Sequence, residues 1–175
     1  MKLTVKELVL MALYAALFIV LDYTANMLPK MPNGGSVGLG VIPLLMASYH
    51  LGWKKGIIVG LSSVLLQFMT GQMWYYHWVQ FLLDYIIAFG FYGVACAFPN
   101  FKIGHFDLYS GIIITNVVRY LCSVTSGVVF FAVEGASLPE TILFSLNYNA
   151  TYMIPTLIVT VLCVPLIHRR LKPVL

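Results

Sequence analysis

Six long apolar segments, separated by short stretches rich in proline, glycine and charge, limit what this chain of 175 residues can fold into. A lipid-exposed strand leaves its backbone polar groups unpaired, whereas a helix of about 20 apolar residues satisfies them and crosses the bilayer. The sequence therefore predicts an all-α integral membrane protein in which residues 1–175 form one domain of six transmembrane helices. The predicted helices are Thr4 to Met27, Val37 to Leu51, Lys54 to Thr70, Trp74 to Phe98, Leu108 to Phe131 and Leu138 to Ile167.

Basic residues are concentrated at one end of these predicted helices. With the N-terminus in the cytoplasm, the opposite side carries Lys30 together with Glu134 and Glu140. Because positive charge is enriched in short cytoplasmic loops, we expect both termini inside and a multi-pass protein in a cell membrane. The second helix is short, so we expect it to be tilted or partly re-entrant, and the turn 29–35 before it to act as a lid. The cytoplasmic basic residues are Lys2, Lys6, Lys54, Lys55, Lys102, Arg169, Arg170 and Lys172.

Composition and motifs narrow the class of protein further. The chain lacks a G-x-x-x-x-G-K-[ST] motif, so another chain must supply the energy for any active transport. Its largest basic cluster, residues 168–172, is typical of membrane anchoring and not of nucleic-acid binding. Cysteines and histidines are scattered along the sequence, so we expect no disulfide, metal site, cofactor or catalytic cluster.

Three charged residues that lie away from the cytoplasmic ends and loops of the predicted helices are candidates for function, because a charge inside a bilayer is costly and usually functional. They are Asp22, Asp84 and Arg119. Asp22 lies near the outer interface, where a solvated carboxylate explains it as well as a functional one does. Arg119 either pairs with Asp84 or contacts a ligand directly, and the sequence leaves both alternatives open.

Asp84 follows a run of aromatic and polar side chains that begins at the outer interface. On a continuous helix, Trp74, His77, Asp84 and Tyr85 fall near one stripe. His77, Gln80 and Asp84 also share the spacing i, i+3, i+7. An interfacial belt explains the neighbouring aromatic residues, but it does not explain an acid two to three turns deeper. The pattern therefore indicates a binding site around Asp84.

A second polar cluster, Ser145 to Tyr152, lies in the sixth predicted helix. Asn147 and Asn149 point in different directions on a helix, so we expect one to face a cavity and the other a neighbouring helix. A carboxylate and an amide beneath aromatic rings suit a flat, nitrogen-rich and cationic ligand. The rings supply stacking and cation–π attraction, and Asp84 accepts a hydrogen bond from an amino group.

Small residues recur at four-residue spacing in two helices and permit close helix contact. Gly52, Gly56 and Gly60 favour internal packing. For Ala12 and Ala16 on the first helix, contact with an external partner helix is nearly as good an explanation as internal packing.

Four blocks of residues occur in order and in separate helices: 31–37, 77–89, Arg119-Tyr120 with Ser126-Gly127, and 145–155. With these blocks, the sequence resembles the thiamine-specific substrate-binding subunits (S components, ThiT family) of energy-coupling factor (ECF) vitamin transporters. The resemblance covers nearly the whole chain. It implies a six-helix S-component fold in a bacterial membrane and contact between Ala12, Ala16 and a transmembrane coupling subunit.

The resemblance also implies roles for individual residues. Asp84 matches the acidic ligand of the vitamin, Tyr85 and Trp74 match aromatic pocket positions, Asn149 matches a ligand-binding amide, and Phe131 keeps an aromatic position. Together with the polar candidates above, the expected substrate-binding set is Asp84, Tyr85, Trp74, Asn149, His77, Gln80, Ser123, Phe131, Asn147 and Arg119.

Two positions depart from the family pattern. Ser123 stands where the family usually has a histidine, and Gly38 where some members have a second carboxylate. The expected function is therefore binding of thiamine, or of a relative such as its aminopyrimidine precursor, for uptake with an ECF coupling subunit and two ATPase subunits. An enzyme is disfavoured, and an autonomous channel or exchanger is the rival class.

Overall fold

The computed structural model describes residues 3–27, 31, 35–103, 106–131 and 135–171. Lys2, Lys30, Glu134 and Lys172, which contribute to the predicted orientation, lie outside the described residues. Most of the turn 29–35, the expected lid, lies outside them as well.

The described residues form six main helices and a short 3-10 helix (Ala95–Ala97), which confirms the predicted fold class. An antiparallel hairpin of β1 (Asn100–Ile103) and β2 (Phe106–Tyr109) connects the fourth and fifth helices, with Asn100 paired to Tyr109. The helices are α1 (Val5–Ala25), α2 (Val41–Leu51), α3 (Trp53–Met69), α4 (Trp78–Tyr92), α5 (Ser110–Phe130) and α6 (Leu138–Leu171).

The fourth predicted helix, Trp74 to Phe98, is too long at both ends. The observed α4 begins four residues later, at Trp78, and ends at Tyr92. His77 has an extended backbone (φ −142°) and caps α4, where its Nδ1 accepts from the Val79 N–H at 3.2 Å. Trp74 therefore precedes α4, and the expected helical stripe through Trp74 and His77 does not exist. The predicted start of the fifth helix at Leu108 is also wrong, because Leu108 pairs with Phe101 in the hairpin.

Three helices, α1, α5 and α6, are long and apolar enough to cross a membrane. About 28% of each apolar window is buried within the protein, so most of these side chains are available to lipid. The second helix is short, as predicted: its 11 residues rise about 16 Å, roughly half of the 30 Å hydrocarbon core.

The short α2 lies at the centre of the bundle, packed against α1, α3, α4 and α6. Val41, Leu44, Leu45 and Ala47 are completely buried. Apolar side chains on every face are typical of a helix surrounded by protein. The core of the molecule is therefore built around α2.

Glycines bring α3 against α4, which confirms the predicted internal packing for Gly56 and Gly60; Gly52 lies between α2 and α3 with a positive φ of 85° and open space around it, so the prediction is wrong for that position. A Cβ atom on Gly56 would lie 2.7 Å from the carbonyl oxygen of Gly93, and one on Gly60 would lie 2.5 Å from that of Phe89. No larger residue fits at these points without movement of the backbone. The two helices are in direct backbone contact here.

Polar contacts join the helices at the end of the bundle that contains the N-terminus of α1. Glu7, which completes a capping box with Thr4, forms an ion pair with Lys55. The Tyr14 hydroxyl hydrogen-bonds Nδ1 of His50, whose ring stacks on His168 with centroids 4.9 Å apart. These contacts tie α1, α2, α3 and α6 together on the side predicted to be cytoplasmic.

Gly60→Ala is expected to destabilise the protein by about 1–3 kcal/mol, because the added methyl group forces α3 and α4 apart. Gly90→Ala is the matched control, since its Cβ would lie 3.5 Å from the Leu61 side chain, an ordinary contact. Thermal unfolding of the detergent-solubilised variants, followed by circular dichroism, measures the difference. Equal melting temperatures for the two variants would contradict the close contact.

Candidate ligand-binding site

A cavity opens among the helices at the end opposite the Glu7–Lys55 ion pair. It encloses about 180 Å³, several times the ~30 Å³ occupied by a water molecule, so it accommodates a small molecule. Its lining combines aromatic rings with polar and charged groups: Asp22, Asn26, Gly35, Ser36, Gln67, Gln72, Trp74, Gln80, Asp84, Tyr85, Phe89, Arg119, Ser123, Ser126, Gly127, Phe131, Phe144, Ser145, Tyr148, Asn149 and Tyr152.

Asp84 is positioned by an irregular part of α4. Residues Leu82–Ile87 form a π-helix between two α-helical ends, and such wide turns are frequent at functional sites. Ser126 of α5 donates a hydrogen bond to Asp84 Oδ2 at 2.7 Å, whereas Asp84 Oδ1 is buried without a hydrogen-bond partner. One carboxylate oxygen is therefore fixed by the protein, and the other is available to a ligand.

Tyr85 fixes the segment that precedes α4. Its hydroxyl donates to the carbonyl oxygen of Trp74 at 2.9 Å and accepts from the Trp74 N–H at 3.1 Å. The Trp74 ring stacks on Phe131, with centroids 5.7 Å apart and planes inclined by 27°. Trp74 thus reaches the cavity through these contacts and not through a helical stripe.

Arg119 of α5 lies over aromatic rings of α4. Its guanidinium carbon is 4.8 Å from the Phe89 ring centroid and 5.9 Å from that of Tyr92, distances typical of cation–π contact. Its Nη1 is buried without a hydrogen-bond partner. Of the two alternatives left open by the sequence, a direct bridge to Asp84 is not formed, and Arg119 faces the cavity.

Asp22 reaches the cavity from α1. Gln67 of α3 donates from Nε2 to Asp22 Oδ2 at 2.8 Å, and Asn26 donates to the same oxygen at 3.4 Å. Asp22 is therefore a partly buried carboxylate that joins α1 to α3 and lines the cavity.

The α6 side of the cavity is an internal hydrogen-bond network. Asn149 is 3% exposed; its Nδ2 donates to the Ser145 carbonyl oxygen at 2.9 Å, and its Oδ1 accepts from the Tyr152 hydroxyl. The Tyr148 hydroxyl accepts from the Gly35 N–H at 3.2 Å. These bonds hold the amide and the two phenol rings in fixed orientations.

Most residues in the expected binding set line the cavity, and two do not. Asn147 is exposed, whereas Asn149 faces the cavity. His77 is exposed and stacks on Phe130, with centroids 5.0 Å apart. The structure brings together Asp84, Tyr85, Trp74, Asn149, Gln80, Ser123, Phe131 and Arg119.

Sequence reasoning missed Gln67 as a site residue. A lone amide within an apolar helix is a weaker signal than a charge, although it also needs a partner in a membrane. Ser126 belongs to one of the four sequence blocks, which predict no role for it, and it donates a hydrogen bond to Asp84. In the described part of the chain, no group of three or more His, Cys, Asp or Glu residues is placed to hold a metal ion.

A polar, aromatic-walled cavity inside a bundle of apolar helices is typical of a membrane protein that binds a small molecule. The model of one family, described as thiamine transporter protein (Thia_YuaJ), matches residues 8–175. The chain therefore belongs to this family.

Individual relatives agree with this assignment. The thiamine transporter ThiT of Bacillus subtilis (strain 168) is 36% identical over 169 residues, covering 90% of this chain and 88% of that protein. A solved structure of ThiT from Listeria monocytogenes has a TM-score of 0.73 at 21% identity, covering 96% of this chain and 97% of that one. The latter shows a shared fold. Because family and relative are named as transporters, the expectation that the chain is not an enzyme is confirmed.

Tyr85→Phe is expected to loosen the segment before α4, because it removes both hydrogen bonds to the Trp74 backbone. Amide hydrogen exchange in a peptide covering residues 72–77, measured by mass spectrometry, should become faster. Tyr75→Phe is the control, since Tyr75 is partly exposed and makes ring contacts there. Unchanged exchange in Tyr85→Phe would show that its hydroxyl does not hold Trp74.

Proposed function

We propose that this chain binds thiamine in the cavity and acts as the S component of an ECF-type transporter. The observation that carries the proposal is the Asp84 carboxylate, with one oxygen fixed by Ser126 and the other buried without a hydrogen-bond partner. A buried acceptor without a partner is costly. An amino group on a ligand removes this cost.

Thiamine has the chemistry that this lining favours. Its aminopyrimidine ring carries an amino donor for Asp84, and its thiazolium ring carries a permanent positive charge. Trp74, Phe131 and Tyr85 offer aromatic faces near these polar groups, and such faces attract flat cations. Membership of a thiamine transporter family supports the same ligand.

The aminopyrimidine precursor of thiamine is the alternative ligand. Ser123 lines the cavity without the flat ring that a histidine would supply. Gly38 supplies no carboxylate at its own position, and a Cβ atom there would lie 3.0 Å from Nη1 of Arg119. Comparison of the two ligands on the same protein decides between them.

Delivery across the membrane requires partner subunits under this proposal. Ala12 and Ala16 are exposed on α1 beside exposed large apolar residues such as Leu13. A stripe of small residues permits close approach of another helix, so we assign this face to a transmembrane coupling subunit driven by two ATPase subunits. The location that follows is the cytoplasmic membrane of a bacterium.

Asp84→Asn should weaken thiamine binding by roughly 1.5–3 kcal/mol, or about one to two decades in Kd, because it removes the charge and keeps the shape. Asn147→Ala should bind as wild type, since Asn147 lies outside the cavity. Isothermal titration calorimetry in detergent measures both. Wild-type affinity in Asp84→Asn would remove Asp84 from the site.

Ala12→Trp or Ala16→Trp should prevent assembly with the coupling module and leave thiamine binding by the isolated subunit intact. Ile158→Trp, at an exposed apolar position of α6, is the control for added bulk on the lipid-facing surface. Co-purification of the subunits measures assembly. Loss of ligand binding together with assembly would point instead to internal packing.

Reconstitution of the purified chain alone tests the rival class, an autonomous channel or exchanger. Liposomes that contain only this protein should bind thiamine and should not accumulate it. Robust thiamine uptake without partner subunits or ATP would overturn the S-component assignment.

A further inference from the structure

Gln67 presents a buried acceptor to the cavity, apart from Asp84. Its side chain is 4% exposed, and its Nε2 donates to Asp22 Oδ2 at 2.8 Å. Because a carboxylate accepts only, this bond fixes the orientation of the amide. Gln67 Oε1 is therefore the free end of the amide, and it is buried without a hydrogen-bond partner.

Gln72 adds a second acceptor of the same kind. Its Oε1 is also buried without a hydrogen-bond partner, and its side chain lines the same cavity. Asn26, the neighbouring amide, already directs its Nδ2 to Asp22 at 3.4 Å. The Asp22 side of the cavity thus offers a carboxylate and two amide oxygens, which are all acceptors.

The charges of the cavity point in the same direction. Among the lining residues that the structure describes, the charged side chains are Asp22, Asp84 and Arg119. Two negative charges and one positive charge leave a formal charge of −1. A ligand with a single positive charge therefore matches the formal charge of the lining better than a neutral one.

We propose that Asp22, Gln67 and Gln72 form a second recognition subsite, which takes the cationic, hydroxyl-bearing half of the ligand. This inference rests on the proposed function and assigns the two halves of thiamine separately. Asp84 takes the aminopyrimidine ring. The acceptors on the Asp22 side take the thiazolium ring and its hydroxyethyl group, which supply a positive charge and an O–H donor.

The test compares two ligands, thiamine and 4-amino-5-hydroxymethyl-2-methylpyrimidine, which lacks the thiazolium half. Asp22→Asn should weaken thiamine binding about 10- to 100-fold, the range for loss of a charge-assisted contact. Binding of the pyrimidine should stay unchanged. Asp84→Asn should weaken both ligands. Asp107→Asn, an exposed carboxylate of the hairpin, is the control for a change in net charge.

Gln72→Met provides a second variant at a partly exposed position, where the substitution keeps side-chain length and places little demand on folding. It should also weaken thiamine selectively, by a smaller factor than Asp22→Asn. Calorimetric titration of both ligands on each protein gives the ratio of the two Kd values. The subsite predicts that, in both variants, the Kd for thiamine rises relative to the Kd for the pyrimidine.

Equal weakening of both ligands by Asp22→Asn would assign Asp22 a general structural role and overturn the subsite. Unchanged thiamine binding in both variants would overturn it as well, while the proposed function stands. If wild-type protein binds no thiamine, the proposed function and the subsite fail together.

Discussion

Direct backbone contact between α3 and α4 is the constraint on which the cavity depends. Gly56 and Gly60 let the two helices touch in the halves that lie nearer the Glu7–Lys55 ion pair. Beyond this contact, Gln67 of α3 and Asp84 of α4 line a common cavity with α1, α5 and α6. The cavity is thus the space that remains where helices in close contact at one end diverge at the other.

The π-helical turns of α4 weaken the backbone hydrogen bonds of the helix and also position residues that line the cavity. Backbone hydrogen bonds of poorer geometry are expensive in a membrane, where water does not replace them. In return, the wide turn places Asp84 and Tyr85 in adjacent positions that both line the cavity. Asp84 supplies a free carboxylate oxygen, and Tyr85 holds the Trp74 backbone. The irregularity is therefore part of the site.

Hydropathy predicted the six helices because a membrane leaves few alternatives for an apolar segment. The helical periodicity misplaced Trp74 and His77, because it assumed a regular helix. The chain is extended at His77 and π-helical from Leu82. Asp84 was found because an intramembrane charge is conspicuous. Gln67 was missed because a neutral amide is a weak signal in a sequence. The orientation of its side chain depends on Asp22, which is 45 residues away along the chain.

The length of α2 sets the depth of the cavity within the bundle. A central helix of 11 residues covers about half of the hydrocarbon thickness, and residues 35–40 continue above it without regular helix. Gly35 and Gly38 are held there by Tyr148 and Thr156 of α6. One further turn on α2 would extend helix into the level of these residues, so the length of a single buried helix acts as a spacer that keeps this end of the bundle open for the cavity.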